Sequence, residues 1–303
     1  MVRNPYHTCG GVRSNLFPLA QNGRAHFIPL AQIARGDSIL SKLKTDIFIN
    51  RNFRIVDESA DWIVIDKPPH LLAHPSKPGG GFTLWDGLRE LLAFEIANGG
   101  QVSIINRLDR ETSGLTLVCK TSAAAGKFAV LMERQRIRKE YLAIVRGWPE
   151  RDFYEIDAPL ARLGEHAPTH IWLKQAVHPS GAQARTSVRV EKRFRRETAN
   201  GSHFSLVRAF PETGRTHQIR VHLAHIGHAV VGDKIYGPDE QHYLTFIETG
   251  WTEKLAQSLL LPRHALHSAI LNIEADDGVL TWSAPLPDDL ANFLRDGAAS
   301  DFP

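Results

Sequence analysis

The run Ile105-Asn106-Arg107-Leu108-Asp109-Arg110-Glu111-Thr112-Ser113-Gly114-Leu115 leaves one stretch of strand character and enters another. Residues 102–105 and 115–119 are short apolar runs of strand length, so the charged residues between them belong to a loop. Thr112, Ser113 and Gly114 suit a tight turn, with the glycine free to take a positive φ. Such a turn fixes the direction of Asp109, and Arg107 and Arg110 beside it favour the ionised carboxylate. Local chemistry leaves two readings open here: a preorganised anion, or a surface turn aspartate salt-bridged to arginine.

Working outward, residues 53–57 and 61–66 read as a pair of short strands, closed by Lys67-Pro68-Pro69, where the prolines cannot donate to a ladder. Thr83 caps a helical pattern in which Leu84, Leu88, Leu91 and Leu92 share one face, and Asn98-Gly99-Gly100 ends it. Beyond the central run come a helix over 122–135 and a strand over 141–145. The second half carries strand signals at 171–177, 186–194, 204–209, 266–273 and 279–282, with helices at 216–226 and near 243–261. Strands in runs with a few helices outside them predict an α+β fold: a mostly antiparallel, mixed sheet core with flanking helices and loops. Residues 1–50 show only scattered periodicity and are expected to be an N-terminal extension, with residues 51–303 forming the main domain.

A chain of 303 residues, 43% hydrophobic and 23% charged, can bury a large core. It has no apolar run of bilayer-spanning length, and its first residues lack the apolar centre of a signal peptide, so a cytoplasmic protein is expected. Cys9 and Cys119 stand far apart without a CxxC spacing, which predicts free thiols and no thiolate metal site. The absence of a heptad pattern predicts a monomer. The net charge of +3 names no partner, but it is unevenly spread. Arg134-Gln-Arg136-Ile-Arg138-Lys139 and residues 185–196 are dense in cations, and either could face a polyanion or be an ordinary solvated face.

A second distinctive run, Thr213-Gly214-Arg215-Thr216-His217-Gln218-Ile219-Arg220-Val221-His222, places a turn directly before a helix. With Ile219 and Leu223 facing the core, Arg220 projects from the adjacent flank, where it could meet a carboxylate from elsewhere or lie on a basic helix face.

Taken together, the two runs resemble the signatures of the RluA-type RNA pseudouridine synthases. Lys67-Pro68, Arg138-Lys139-Glu140-Tyr141, Ala184-Arg185-Thr186, Gly232-Asp233-Lys234-Ile235-Tyr236-Gly237 and Leu266-His267-Ser268 follow in the family's order, so the match extends from about residue 50 to about 285. The resemblance implies a pseudouridine synthase fold and an isomerase acting on structured RNA, ribosomal or transfer. It implies an aspartate-dependent reaction needing neither cofactor nor metal. By position it assigns Asp109 as the catalytic carboxylate, Arg220 as its partner, Tyr141 as the ring beneath the target base and Arg107 as the base-flipping arginine. RNA contacts are expected from Arg107 and Arg215 and, by the charge of their stretch, from Arg134, Arg136, Arg138 and Lys139; residues 1–50 do not match the S4-like RNA-binding domain that many larger relatives carry and are read as an ancillary RNA-binding arm or a small domain, so recognition is expected to rest mainly on residues 51–303. Asn106 stands where many relatives have His, which bears on loop support or an RNA contact.

Three other readings compete. His217, His222, His225 and His228 suggest a metal site, but no carboxylate or cysteine completes a zinc spacing. Thr216-His217 with Asp109 suggests a hydrolase, but the chain has no GxSxG elbow. The third is an RNA-binding or RNA-chaperone protein without activity, against which the intact Asp109, Tyr141 and Arg220 argue.

Overall fold

The computed structural model describes residues 52–75, 81–199, 201–276, 278–296 and 298–299, all within one compact unit, Leu43–Pro303. The expectations for residues 1–50, including Cys9, lie outside the described residues. The strands are β1 (Arg54–Glu58), β2 (Trp62–Lys67), β3 (Ser103–Ile104), β4 (Ser113–Cys119), β5 (Ile137–Arg146), β6 (Phe153–Asp157), β7 (Leu160–Arg162), β8 (Gln175–Val177), β9 (Arg185–Arg195), β10 (His203–Pro211), β11 (Leu266–Ala275), β12 (Gly278–Ser283) and β13 (Ala298–Ala299). The helices are α1 (Leu84–Leu91), α2 (Ala93–Ala97), α3 (Ser122–Glu133), α4 (Gln218–His225), α5 (Gln241–Thr249), α6 (Glu253–Leu259) and α7 (Asp288–Arg295).

The main sheet runs β1-β2-β4-β11-β5-β10-β9-β13, with β12 on β11, β3 on β4 and β6 on β9. The pairings are antiparallel except that of β4 with β11, which is parallel over Ser113 and Gly114 opposite His267 and Ser268. This is the mixed, mostly antiparallel α+β architecture that the strand pattern predicts. No helix among the described residues is long and apolar enough to cross a membrane.

β4 is buried along its whole length because elements cover both of its faces, which is why it reads as an unbroken small-and-apolar run rather than an alternation. On one side Ala124, Phe128 and Leu131 of α3 pack with Leu115, Leu117, Leu271 and Trp282. On the other, Leu84 and Leu88 of α1 pack with Ile63, Ile65 and Val118. A third cluster joins β5, β9 and β10 to Ile219 and Leu223 of α4 and to Phe293 of α7. α1 starts at a capping box in which the Thr83 hydroxyl accepts from the Asp86 N–H at 3.3 Å and the Asp86 carboxylate accepts from the Thr83 N–H at 2.9 Å.

Several details differ from the sequence expectation. The helix stops at Leu91, where Leu92 leaves helical geometry (φ −99°, ψ 25°) and turns into the core, so Leu91 is 46% exposed rather than on the buried face. The helix near 243–261 is two, because Gly250 takes φ +73° between them and Thr252 caps the second. Of 171–177 only the last three residues pair as a strand, and β6, β7 and α7 are additional elements.

Across the centre of the sheet, Gly114 of β4, Ser268 of β11 and Tyr141 of β5 lie side by side. Gly114 has φ +110°, and a Cβ on it would stand 2.2 Å from the Ser268 carbonyl oxygen. A side chain is therefore excluded on two independent grounds. Gly114→Ala is expected to abolish soluble expression or lower the urea midpoint drastically. Gly126→Ala, within α3 and with nothing within 4 Å of the added methyl, is expected to stabilise by about 0.5–1 kcal/mol. Equal behaviour of the two variants would contradict this packing.

Candidate active site

The loop between β3 and β4 carries Asp109 and is anchored at nearly every residue. Asn106, buried, donates from its side chain to the Leu115 carbonyl at 2.9 Å and accepts from the Leu117 N–H at 2.7 Å, tying the start of the loop to the strand that follows it. The residue that departs from the commoner His is thus a loop support. Leu108 enters the core beside Tyr141. The Thr112 N–H donates to the Asp109 carbonyl at 3.2 Å, closing a turn over 109–112. Thr112 Oγ1 then meets His264 Nε2 at 2.7 Å, and Ser113 Oγ meets His267 Nδ1 at 3.0 Å. The turn ends at the first residue of the Thr-Ser-Gly triplet, whose last two residues are already strand.

Further cations hold the loop from beneath. Lys67, fully buried, donates Nζ to the carbonyls of Pro68, Leu71 and Arg110 at 2.8, 3.0 and 3.3 Å, and burial pushes its ammonium down to about 7. Glu111 accepts from Lys234 Nζ at 2.7 Å and from the His264 N–H at 3.2 Å. The lysine of the Lys67-Pro68 run therefore supports the residue next to Asp109.

Arg220 reaches Asp109 from α4, with Nη1 donating to Oδ2 at 2.9 Å. Its remaining donors grip a second carboxylate: Nε donates to Asp233 Oδ2 at 2.6 Å and Nη2 to Asp233 Oδ1 at 2.9 Å. Asp233 is 0% exposed and also accepts from the N–H groups of Ile235 and Tyr236 at 2.9 and 3.0 Å. The guanidinium is thus locked in orientation before it meets Asp109, and the Tyr236 ring lies 5.1 Å from its carbon. Burial alone would raise the Asp109 carboxyl, but the Arg220 guanidinium outweighs burial and holds it below its ordinary value. Arg107 and Arg110, expected to supply that charge, are not among the leading influences on it. Arg107 is exposed, and the groups acting on Arg110 are Glu111 and Tyr243. The side chain of Asp109 remains 28% exposed, so a substrate can reach it.

Tyr141 is buried on β5, and burial pushes its phenol up to about 12 despite a hydrogen bond with Ser268. At neutral pH it is a proton-bearing phenol able to donate but not to act as a base. The histidines of the second run diverge: His217 contacts Tyr236, His222 is held by Thr186 and the Ala158 carbonyl, and His228 faces the Arg146 carbonyl. Sequence reasoning missed Asp233 as the partner of Arg220, although it stands in the quoted Gly232–Gly237 run.

The other cations are scattered. Arg134 is exposed at the end of α3, and Arg215 is exposed while donating Nε to the Gln183 carbonyl at 2.9 Å. Arg136 and Arg138 pair with Asp276 and Glu274 at 2.7 and 3.0 Å, whereas Lys139 is buried beside Met132. In residues 185–196, Arg185, Arg189, Arg193 and Arg196 each meet a carboxylate.

A family profile described as RNA pseudouridylate synthase matches residues 61–225, which include Asp109, Tyr141 and Arg220. A ribosomal large subunit pseudouridine synthase D from Nitrosomonas europaea is 36% identical over 245 residues, covering 80% of this chain and 64% of the relative's own length. The protein of that name from Pasteurella multocida is 33% identical over 283 residues, covering 90% of this chain and 81% of the relative. Among solved structures, human RNA pseudouridylate synthase domain containing 1 superposes with a TM-score of 0.58 at 25% identity, covering 83% of this chain and 98% of that one. Human RNA pseudouridylate synthase domain containing 4, at 21% identity, shares the fold with a TM-score of 0.61, covering 80% and 92%. The chain belongs to the RNA pseudouridylate synthase family, the class of isomerases that its two signature runs resemble.

Because Asp233 is fully buried and Arg220 neutralises it, Arg220→Met strands an uncompensated charge. The variant is expected to lose about 3–5 kcal/mol of stability in urea titration and most of its single-turnover rate, in contrast to the mild stability change typical of a surface arginine. An unchanged midpoint would contradict the clamp.

Proposed function

We propose that this protein converts uridine to pseudouridine in structured RNA with Asp109 as its catalytic carboxylate, and that large-subunit ribosomal RNA is its substrate in preference to transfer RNA. The observation that carries the reading is the reachable Asp109 carboxylate fixed by a guanidinium that Asp233 orients. The preference for ribosomal RNA rests on the names of the related bacterial proteins.

The reaction breaks N1–C1′, turns the uracil and joins C5 to C1′; the proton on C5 is lost and N1 gains one. Nothing is oxidised or reduced. Asp109 serves either as a nucleophile at C1′ or as the base that removes the 2′ proton to give a glycal-like intermediate, and both roles need an anion. Arg220 keeps it ionised and aimed. Tyr141 would lie under the uracil ring and, as a neutral phenol, could donate but not remove a proton.

The uridine must leave its stack to reach Asp109, at about a few kcal/mol, less for a loop nucleotide than for a paired one. Arg107 would occupy the vacated place. Arg134 and Arg215 would meet phosphates directly, Arg136 and Arg138 after exchanging their carboxylate partners, and Lys139 from its buried position on the strand of Tyr141. Residues 1–50 would serve as an ancillary RNA-binding arm to a catalytic domain over 51–303.

Asp109→Asn removes the anion while keeping size and much hydrogen bonding. It is expected to fold and bind RNA as the wild type does and to form no detectable pseudouridine in single-turnover assays. A variant that stays active removes Asp109 from the chemistry. Wild type that binds RNA but converts no uridine in any cellular RNA supports an inactive binder. Pseudouridine mapping in cells with and without the gene should show the lost site in large-subunit ribosomal RNA; a loss confined to transfer RNA would reverse the substrate preference.

Phosphate contact by Arg134 is tested by salt dependence. Arg134→Ala should weaken binding across RNA sequences and reduce the slope of log Kd against log salt by about one. An unchanged slope returns Arg134 to an ordinary solvated face.

A further inference from the structure

His217 is engaged by neither the clamp nor the loop anchors, yet its geometry is tightly specified. It forms the N-cap of α4 with φ 57° and ψ 15°, a left-handed conformation that L residues other than glycine seldom adopt, and its side chain makes no capping hydrogen bond. Its Nδ1 lies 2.8 Å from Tyr236 Oη. That oxygen accepts from the Gln175 N–H at 2.9 Å. Tyr236 is buried, and His217 is the only acceptor the phenolic hydrogen reaches among the described residues. With the Gln175 N–H already on that oxygen, the geometry suits a phenol that donates to Nδ1, which places the imidazole proton on Nε2.

The charged groups around the ring are Arg220, Asp109, Asp233 and His264, with desolvation the largest influence; together they push its imidazolium down to about 4. The ring is neutral at physiological pH. The ring lies near enough to Asp109 for the two to act on each other's charge, and its one hydrogen bond among the described residues is made through Nδ1, to Tyr236.

We propose that His217 is a catalytic hydrogen-bond donor, its Nε2–H directed to O2 of the target uracil. The inference rests on the reading of Asp109 as the carboxylate acting at C1′ or C2′. When N1–C1′ breaks, the bonding electron pair leaves with the uracil and its charge spreads over N1, O2 and O4. O2 is the carbonyl oxygen next to N1, hence the one nearest C1′ and Asp109. A neutral donor there stabilises the departing anion without transferring its proton, which stays on Nε2 throughout. A protonated His217 would instead compete with Arg220 for Asp109. The tyrosine hydrogen bond thus sets which nitrogen carries the proton, and the left-handed backbone sets where it points.

His217→Asn separates this role from a structural one. Asparagine tolerates the left-handed conformation and places an amide near the Nδ1 position, but it lacks a donor at the Nε2 position. Its single-turnover rate on folded RNA is expected to fall about a hundredfold, with RNA affinity and melting temperature unchanged. His217→Gln, whose terminal amide nitrogen can take the place of Nε2, should recover part of that loss. The wild-type rate should show no acid limb near pH 6.5. A purely structural His217 predicts full activity in the asparagine variant, and a limb near 6.5 that vanishes in that variant would make His217 a proton-transfer group; either result overturns the proposal.

Substrate carrying 2-thiouridine at the target tests the same contact without altering the fold, because sulfur is a poor acceptor. It should slow wild type and leave the asparagine variant no slower than with uridine. Wild type unaffected by the thio substitution overturns the assignment to O2. If Asp109→Asn remains active, the Asp109 reading fails; if Asp109→Asn is dead and His217→Asn runs at full rate, only the His217 inference fails.

Discussion

The site depends on one guanidinium shared between two carboxylates. Arg220 could not aim at Asp109 from a flexible side chain without losing several rotamers' worth of entropy on each encounter. Asp233 removes that difficulty by holding Nε and Nη2 in a two-point grip, at 2.6 and 2.9 Å, that leaves Nη1 for Asp109. Asp233 is itself fixed by backbone N–H groups at 235 and 236. The result is a buried anion, a buried cation and a second, reachable anion in a row. This arrangement favours an ionised Asp109 in surroundings that would otherwise favour its protonated form.

The sheet makes this row possible. Its one parallel contact puts Gly114 against Ser268, and Tyr141 pairs with Ser268 from the other side. The loop ending at Gly114 and the strand carrying Tyr141 therefore open onto the same part of the molecule. The loop bearing Asp109 spends its polar groups on anchors: Asn106 on β4, Thr112 and Ser113 on the histidines at the start of β11, and the Arg110 carbonyl on Lys67. Rigid support of this kind is what a reactive carboxylate requires, since small misplacement is costly in rate.

Much of this was legible in the chain. Each signature run is contiguous, so the turn, the helix and the surrounding strands that carry Asp109 and Arg220 are legible locally, while the pairing of these two residues is legible only through the resemblance to the pseudouridine synthases. What could not be read was partnership between distant residues. Arg107 and Arg110 are neighbours of Asp109 in sequence, and nearness along the chain suggests that they neutralise it; the guanidinium that meets its carboxylate comes from 111 residues further on. Asp233 was visible as a letter in a conserved-looking run but not as the second half of a clamp, because nothing local distinguishes a buried carboxylate from a turn residue. The same holds for His217, whose ring meets the hydroxyl of a tyrosine 19 residues away. In the strand expected at 171–177, Ile171 fills a side cluster, Trp172 and Leu173 are exposed, and only Gln175–Val177 join a ladder.

The claim that Arg220 holds Asp109 as a prepared anion is tested most directly by the carbon-13 signal of the Asp109 side-chain carboxyl, assigned by its loss in Asp109→Asn and followed from pH 7.5 to 4. The signal should move toward its protonated form less than that of an ordinary aspartate with a pKa of about 3.9, which would already be partly protonated at the acid end, so that the Asp109 midpoint lies below that value. A midpoint at or above that ordinary value would contradict the account.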